Sequence, residues 1–274
     1  MTVVATRARL DAELVRRGLA RSRQQAAELI AAGLVDVRGM VAGKPATVVD
    51  RDTPVVVRET GGREWASRGA HKLIGALDAL AVPVRGRRCL DAGASTGGFT
   101  DVLLDRGAVE VVAADVGYGQ LVWRLRSDGR VRVLDRTNVR ALEPDAVGGP
   151  VDLTVADLSF ISLRTVLPAL VACTTPGGEL LPMVKPQFEV GRQRLGAGGV
   201  VRDPALRLAA LTEVTAAARA LGLVLRGAVA SPLPGPSGNV EFFLRLAHGG
   251  DRAVGTGADV GDATLAAAVE EGPQ

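Results

Sequence analysis

The chain has 274 residues, of which 47% are hydrophobic, 23% charged and 3% aromatic, a composition typical of soluble globular proteins with one or two domains. The formal net charge is +3, and the whole excess lies in residues 1–60, with 10 Lys and Arg against 7 Asp and Glu; the rest holds 23 of each. No run has the length of a signal peptide or of a ~20-residue membrane helix, and the two cysteines have no metal-ligand spacing, so we expect a cytoplasmic protein without a metal site.

Lysine is scarce in this chain. There are 30 arginines but only three lysines, at positions 44, 72 and 185, so positive charge is nearly always supplied by arginine. Lysine differs from arginine because it can lose its proton when it is buried. We therefore expect the lysines to stand where arginine cannot perform the same chemistry.

Residues 1–60 are predicted to form a small separate domain. An amphipathic helix ends at Gly18, a second helix follows the N-cap Ser22, and short β segments come next. The order RLD, SRQQAAELI, GLVDVRG and GKPATVV resembles the RNA-binding domain named after ribosomal small-subunit protein four. An alternative is a helical pair whose charged face is merely solvated. The resemblance implies that structured RNA binds at Arg7, Arg9, Arg21, Arg23 and Lys44.

The remainder divides into a linker, a large α/β domain and a tail. Residues 61–69 are a glycine-flanked linker that contains Trp65. Strand and helix patterns then alternate over 70–247, which predicts a mostly parallel sheet wound on both faces, with the last strand antiparallel. Residues 248–274 are rich in Gly and Ala and weakly patterned, so we predict a disordered tail.

The stretch LDAGASTGGFT at 90–100 is predicted to contain a strand that ends at Asp91, a glycine turn and the start of a helix. That order places backbone N–H groups at the carboxyl edge of a sheet, where α/β folds bind nucleotide-like ligands. Asp91 would repel a pyrophosphate but suits the amino-acid end of S-adenosylmethionine, although a purely structural turn is an alternative. The candidate cofactor residues here are Asp91, Gly93, Ala94, Ser95, Thr96, Gly97 and Gly98.

Polar side chains also follow the next predicted strands. Asp115 lies about 20 residues beyond the turn, where an acid accepts hydrogen bonds from ribose hydroxyls. Asp135 and Asn138 follow the third strand and could read an adenine edge. Asp157 follows the fourth. Because the carboxyl ends of parallel strands meet at one edge, we expect these side chains to share one crevice with the cofactor.

Four ionisable residues, Lys72, Asp157, Lys185 and Glu241, fall near element boundaries at the same predicted edge. Two cations and two carboxylates can hold one another in place, and burial among such partners can tune a lysine toward accepting a proton. Each residue alone would more often be a surface charge. As a set that includes two of three lysines, they favour a catalytic function.

These motifs together with ADLSFISL, MVKPQFE and GNVEFFL resemble the TlyA family of bacterial ribosomal RNA ribose methyltransferases, whose catalytic half is similar to FtsJ-type 2′-O-methyltransferases. The resemblance covers about residues 7–247. It implies a Rossmann-like, class I S-adenosylmethionine-dependent methyltransferase domain with a seven-stranded sheet. It also implies cytidines of 16S and 23S rRNA in ribosomal subunits as substrates. Ala66 is a departure, since family members carry valine after the linker tryptophan.

The resemblance further implies that Lys72, Asp157, Lys185 and Glu241 form the catalytic tetrad. Lys185 would be the base for in-line attack by the ribose 2′-oxygen, without a metal, and Asp157 would orient it. Phe160 is expected either to stack beside a flipped nucleotide or to belong to the core. Three other functions stay open: a non-catalytic rRNA assembly factor, a membrane-active hemolysin, and an NAD-dependent dehydrogenase, which the glycine spacing and Asp91 disfavour.

Overall fold

The computed structural model describes residues 7–20, 22–58, 63–235, 238–249 and 259–272. The chain divides into two compact units, 1–64 and 65–274, so the division falls inside the predicted linker. None of the helices in the described ranges has the length and hydropathy needed to cross a bilayer. Within the same residues, no three His, Cys, Asp or Glu side chains are grouped so that they could hold a metal ion.

The first unit is a small α+β fold around one apolar cluster. Leu10 and Leu14 of the first helix pack with Ala26 and Ile30 of the second, and the Ser22 hydroxyl accepts a hydrogen bond from the N–H of Gln25 as the predicted N-cap. The elements are β1 (Arg7–Arg9), α1 (Leu10–Arg16), α2 (Arg23–Ala31), β2 (Val35–Val37), β3 (Met40–Val41), β4 (Val48–Asp50) and β5 (Val55–Val57). Strands β1 and β4 pair in one antiparallel sheet, and β3, β2 and β5 form another.

The second unit contains the predicted seven-stranded sheet. Its strands are β6 (Arg88–Ala92), β7 (Glu110–Ala114), β8 (Val131–Leu134), β9 (Val151–Ala156), β10 (Thr174–Val184), β11 (Leu223–Ala230) and β12 (Phe242–His248). They lie in the order β11-β12-β10-β9-β6-β7-β8. Strands β6 to β10 pair in parallel, whereas β12 runs antiparallel to both β10 and β11. This confirms the predicted Rossmann-like class.

Helices cover both faces of this sheet, and alternate residues of one strand face opposite layers. In β7, Val112 and Ala114 belong to one apolar cluster, whereas Val111 and Ala113 belong to the other. The strand β7 is therefore apolar on both faces of the sheet. The helices are α3 (Gly69–Ala79), α4 (Gly98–Asp105), α5 (Trp123–Arg126), α6 (Leu163–Ala172), α7 (Pro186–Glu189), α8 (Pro204–Ala220) and α9 (Ala263–Glu271).

The prediction of a disordered tail is wrong for residues 259–272. Helix α9 buries Leu265, Ala268 and Val269 against the sheet and α8. Just before it, the N–H of Val260 donates a hydrogen bond to the carbonyl of Leu225 on the edge strand β11. The segment therefore covers a sheet edge that would otherwise present unpaired backbone groups.

Candidate active site

The candidate site lies at the edge of the large sheet where the parallel strands end. Asp115 directly follows β7, Asp135 follows β8 and Asp157 follows β9. The N–H of Asp157 donates to the carbonyl of Ala92, the last residue of β6, at 3.0 Å. The sheet thus brings the predicted carboxylates and the glycine turn to the same edge, as the alternation of strands and helices requires.

The register of β10 and β12 adds two further residues to this edge. Val184 pairs with Phe242 across the antiparallel ladder. Lys185 comes directly after Val184, and Glu241 stands directly before Phe242. Because the strands run in opposite directions, the end of one meets the start of the other, so Lys185 and Glu241 lie side by side.

The turn between β6 and α4 requires glycine at two positions. Gly93 has φ +90°, and a Cβ atom there would lie 2.5 Å from the carbonyl oxygen of Asp157. Gly97 has φ +101°, and its Cβ would overlap the side chains of Leu121 and Leu125. Both glycines let neighbouring chain segments approach the turn closely. The predicted residues Gly93, Ala94, Ser95, Thr96 and Gly97 form this connection, and Gly98 begins α4.

Asp91 is more deeply placed than predicted. Strand β6 continues through Ala92, so Asp91 lies within the strand and is fully buried. The hydroxyl of Thr100 donates to its Oδ2 at 2.7 Å, whereas its Oδ1 has no hydrogen-bond partner among the residues that the structure describes. Burial raises the pKa of Asp91 to about 7, and the charges of Asp157 and Asp115 add to the shift. A cationic group at Oδ1 would supply the missing partner.

The raised pKa makes the stability of the fold depend on pH through Asp91. Between about pH 4 and pH 7 the folded protein keeps a proton that the unfolded chain has released. The contribution of Asp91 to stability is therefore present at low pH and lost as the pH rises to 7, by up to about 4 kcal/mol. Replacing Asp91→Asn should flatten this decline in urea unfolding at pH 5 and pH 8. Parallel profiles of the two proteins would contradict the assignment.

Asp115 is tied to the glycine turn. Its two carboxylate oxygens accept hydrogen bonds from the N–H groups of Ser95 and Gly117, at 2.9 and 2.7 Å. Each oxygen keeps a second lone pair that can accept a ligand hydroxyl. The carbonyl of Thr96 accepts from the N–H of Val122, which joins the turn to the segment before α5. Asp115 therefore fixes the turn and can still act as an acceptor.

Asp135 and Asn138 have local partners at the end of β8. Arg126 donates to Asp135 at 2.9 Å, and the side chain is partly buried. Asn138 is exposed, and its side-chain oxygen accepts from the N–H of Arg140 at the start of a short 3₁₀ helix. Both residues lie near the same edge of the sheet as Asp115. Their hydrogen bonding to the adenine of the cofactor remains a prediction.

The four residues of the predicted tetrad form two ion pairs. The Nζ atom of Lys72 lies 2.6 Å from Oε2 of Glu241, and Nζ of Lys185 lies 2.6 Å from Oδ1 of Asp157. Lys72, Lys185 and Glu241 are buried, whereas the Asp157 side chain is 27% exposed. Lys185 and Glu241 both line a pocket of about 640 Å³. Both lysines are thus buried beside carboxylates, and one member of each pair, Lys185 and Glu241, lines a space large enough for a nucleoside.

An aromatic pair forms one wall of this pocket. The rings of Phe160 and Phe188 are 5.3 Å apart at an interplanar angle of 47°. Phe160 is 91% exposed and has φ +63°, a left-handed conformation that is costly for a residue with a Cβ. The alternative of a core role for Phe160 is therefore wrong. The ring is available for stacking.

Two polar residues that the sequence analysis did not select contact this region. Nζ of Lys185 donates a hydrogen bond to Oγ of Ser159 at 3.0 Å. The buried carboxylate of Glu189 accepts from the hydroxyl of Ser162 at 2.6 Å and from the N–H of Leu163 at 2.7 Å. Both residues lie inside motifs noted above, ADLSFISL and MVKPQFE. The only feature of the sequence that could have pointed to Ser159 and Glu189 is that they are polar residues within largely apolar motifs.

Asn239 anchors the glycine-rich loop after α7. Its side-chain oxygen accepts from the N–H of Val201, and its amide donates to the carbonyl of Gly199, each at 3.0 Å. Gly191, Leu195 and Gly199 of this loop line the pocket. The side chain thus connects the loop to the strand segment that carries Glu241.

In the first unit, two predicted RNA-binding arginines converge on one acid. Asp11 is 5% exposed and accepts from Nε and Nη2 of Arg9, at 3.1 and 2.9 Å, and from Nη2 of Arg23 at 3.0 Å. The side chain of Arg9 is 50% exposed and that of Arg23 is 60% exposed. Hydrogen bonding from Arg9, with help from Arg23, holds the pKa of Asp11 well below its usual range. Together, Arg9, Asp11 and Arg23 carry one net positive charge at the surface.

Two other predicted RNA-binding residues, Arg7 and Lys44, are also exposed. Arg7 is 75% exposed and lies 3.5 Å from Asp50, and Lys44 is exposed at a turn. Arg21 lies outside the described residues. Arg17, by contrast, donates to the carbonyls of Thr53 and Arg51 and so joins α1 to the turn after β4.

The chain is similar to known proteins along most of its length. The family model described as FtsJ-like methyltransferase matches residues 65–248, and the S4 domain model matches residues 8–55. A Mycobacterium tuberculosis protein named 16S/23S rRNA (cytidine-2′-O)-methyltransferase TlyA is 64% identical over 251 residues, which cover 92% of this chain and 94% of that protein.

Two further relatives carry another name. The protein named Hemolysin A from Brachyspira hyodysenteriae is 35% identical over 242 residues, covering 88% of this chain and 98% of that protein. A solved structure from Streptococcus thermophilus, to which the name hemolysin has also been given, is 36% identical with a TM-score of 0.74. It covers 98% of this chain and 96% of that chain.

Proposed function

The chain belongs to the FtsJ-like methyltransferase family and, within it, to the TlyA proteins, and from this premise we propose that it methylates the ribose 2′-oxygen of cytidine in ribosomal RNA. The observation that carries the proposal is the Lys185–Asp157 ion pair at the sheet edge, whose lysine lines the pocket. A ribose hydroxyl is a poor nucleophile at neutral pH, so its proton must be removed as the new bond forms. Lys185 can receive this proton when its amine is neutral, and the carboxylate of Asp157 then stabilises the ammonium that forms.

The glycine turn suits S-adenosylmethionine as the methyl donor. The partnerless Oδ1 of Asp91 fits the positively charged amino group of the donor, and the absent Cβ at Gly93 lets the backbone of Asp157 approach the turn closely. Asp115 would accept from the ribose hydroxyls of the donor, with Asp135 and Asn138 toward its adenine. When bound, S-adenosylmethionine supplies an electrophilic methyl group on a sulfonium sulfur, which departs as a neutral thioether.

The tetrad then divides into a base and its supports. Lys185 takes the proton of the 2′-hydroxyl onto Nζ, and Asp157 orients the amine and stabilises the ammonium that results. The buried Lys72–Glu241 pair holds the adjacent strand start and positions the ribose. Alignment of the reacting groups can supply ~7–11 kcal/mol of the barrier reduction. This mechanism uses no metal.

The aromatic pair provides a place for the cytosine base. A target nucleotide must leave its stack before its ribose can reach Lys185, and the flipped base needs a new stacking partner. Phe160 offers an exposed ring beside the pocket, supported by Phe188. Stacking of a base on an aromatic side chain contributes roughly 1–3 kcal/mol.

The first unit supplies the remaining RNA affinity. Arg7, Arg9, Arg23 and Lys44 present exposed cations that can contact phosphates, and Arg21 adds to this set from the sequence. Such contacts position a structured RNA without reading its bases. We extend the proposal to rRNA within ribosomal subunits, because shape and phosphate recognition suits folded RNA.

Asp11 provides a test of this RNA surface in which two effects have opposite signs. Asp11→Asn removes a negative charge, so simple electrostatics predicts tighter RNA binding. It also releases the side chains of Arg9 and Arg23, each of which costs about 0.5–1.5 kcal/mol to immobilise again. We expect a net loss of about five-fold in affinity, measured by filter binding of rRNA fragments. A gain in affinity would show that Asp11 only repels RNA.

The direct experiment is a map of 2′-O-methyl marks on rRNA from cells with and without this gene. We expect at least one cytidine mark to disappear in cells without the gene and to return when the wild-type gene is restored. An unchanged map would contradict the proposal. The name hemolysin is not carried over to this chain, because the two buried lysine–carboxylate pairs at the sheet edge favour group transfer.

A further inference from the structure

We propose that Ser159 is a positioning residue for methyl transfer, which holds the amine of Lys185 so that its remaining face points at the substrate hydroxyl. The inference rests on the proposed function and deepens it, because Ser159 lies outside the four ionisable residues. It is carried by one contact, the 3.0 Å hydrogen bond from Nζ of Lys185 to Oγ of Ser159, and by the way the surrounding loop is held.

The two neighbours of the amine hold it in different ways. Oγ of Ser159 accepts a hydrogen bond from Nζ of Lys185 at 3.0 Å. Oδ1 of Asp157 lies 2.6 Å from Nζ as an ion-pair partner, but it has no hydrogen-bond partner among the described residues, so it contributes charge without a directed bond. Lys185 is only 6% exposed, yet it lines the pocket together with Ser159. The Ser159 hydroxyl therefore supplies the directed contact that sets how the amine faces the pocket.

An ion pair fixes the distance between two charges but not the orientation of the amine. With Asp157 alone, the nitrogen of Lys185 could turn and aim its lone pair away from the substrate. The hydrogen bond to Ser159 removes that freedom before the substrate arrives. A misplacement of about 1 Å at a reacting group can cost on the order of 100-fold in rate. Orientation by Ser159 is therefore expected to appear in kcat.

The loop that carries Ser159 is held at both ends. At its start, the N–H of Asp157 donates to the carbonyl of Ala92 at 3.0 Å. At its end, Ser162 and Leu163 donate to the carboxylate of Glu189, which is 3% exposed. Glu189 stands four residues after Lys185, so one short segment supplies both the base and the anchor of the loop that carries its hydrogen-bond acceptor, Ser159. The Ser159 hydroxyl is thus placed by buried contacts, although its own residue is exposed.

Kinetics with three variants separate positioning from other roles. Ser159→Ala removes the acceptor, Ser159→Cys keeps the size with a weak acceptor, and Ser159→Thr keeps the hydroxyl. We expect kcat to fall about 10- to 100-fold in the first two variants and by less than about three-fold in the third. The KM values for RNA and for S-adenosylmethionine should stay within about two-fold. Ser127→Ala, an exposed serine at the end of α5, is the matched control.

The scarcity of lysine allows a readout that does not depend on activity. The chain has three lysines, so protein labelled with ¹³C at the lysine Cε position gives three signals, and a Lys185→Met sample identifies one of them. We expect Ser159→Ala to shift the Lys185 signal while the signals of Lys44 and Lys72 stay in place. Ser159→Thr should leave all three unchanged.

The outcomes distinguish this inference from the function beneath it. If the wild-type protein methylates rRNA and the Ser159→Ala variant is equally active, the inference is overturned and the proposed function stays intact. A rise in the RNA KM at constant kcat would also overturn it, because Ser159 would then contact RNA rather than orient Lys185. A third outcome is that the wild-type protein methylates no rRNA while the Ser159→Ala substitution still shifts the Lys185 signal. This outcome would refute the proposed function but would support the contact between Ser159 and Lys185.

Discussion

Replacing Lys185 by methionine is expected to lower kcat for methyl transfer to rRNA by about 10²- to 10⁴-fold, the range that general base catalysis contributes. Methionine has a similar length and no proton acceptor. Its partner Asp157 is 27% exposed, so water can solvate the carboxylate that is left and the fold should survive. The dissociation constants for RNA and S-adenosylmethionine should change by less than about three-fold. The measurement is single-turnover transfer of a labelled methyl group.

Two lysine variants show whether charge or proton transfer matters. Lys185→Arg keeps the positive charge, but a guanidinium does not give up its proton at accessible pH, so this variant should be as inactive as Lys185→Met. Lys44→Met removes an exposed lysine of the first unit and should affect only RNA affinity. An active Lys185→Arg enzyme would contradict the role of base. A fully active Lys185→Met protein would favour the interpretation of the chain as a non-catalytic rRNA-binding factor.

Lys72 is a less suitable target, although it belongs to the same set. Its partner Glu241 is 0% exposed, and removal of the lysine would leave an unpaired charge in the interior. Breaking a buried pair in this way typically costs about 3–5 kcal/mol of stability. Loss of activity in a Lys72 variant would therefore mix unfolding with chemistry, whereas the Lys185 variants avoid that ambiguity.

Deleting residues 1–64 is expected to abolish methylation of intact ribosomal subunits while leaving S-adenosylmethionine binding measurable. Each unit has its own apolar cluster, and the FtsJ-like methyltransferase match begins at residue 65, so the second unit keeps its core and its candidate cofactor turn. The deleted segment carries the whole excess of positive charge. Without these cations, binding to folded rRNA should weaken by orders of magnitude at physiological salt. Calorimetry and methyl transfer to subunits measure the two effects.

A full-length variant controls for damage caused by the truncation. Replacing the exposed Arg7, Arg9, Arg23 and Lys44 by alanine keeps the first unit in place and removes four cations that can bind phosphates. The dependence of log K on log salt should become less steep by about 0.7–0.9 for each phosphate that the variant no longer neutralises. Equal activity of the truncated and complete proteins on subunits would contradict a docking role for the first unit.

Much of the fold and part of the candidate site could be predicted from the sequence. The alternation of strands and helices predicted the sheet, and the rule that parallel strands end at one edge placed Asp115, Asp135 and Asp157 together. The scarcity of lysine pointed to Lys72 and Lys185, and both are buried beside carboxylates. These successes rest on chain-wide patterns that do not require knowledge of individual side-chain interactions.

The features that were missed depend on tertiary structure or on weak local patterns. Ser159 meets Lys185 only because β9 and β10 are neighbours, and nothing within ADLSFISL marks its hydroxyl as a partner of a residue 26 positions away. Asp91 was placed at a strand end because aspartate usually ends strands, yet burial within β6 prevailed. In the tail, alanine is the strongest helix former, and Leu265, Ala268 and Val269 had helical spacing that the surrounding glycines obscured.

The most direct measurement is the chemical identity of the methylated product. Purified wild-type protein, labelled S-adenosylmethionine and unmodified ribosomal RNA would be incubated, and the RNA digested to nucleosides for mass spectrometry. We predict that the label appears in 2′-O-methylcytidine and that Lys185→Met abolishes it. Label on a base, or no transfer by a folded protein that binds both S-adenosylmethionine and RNA, would contradict the account.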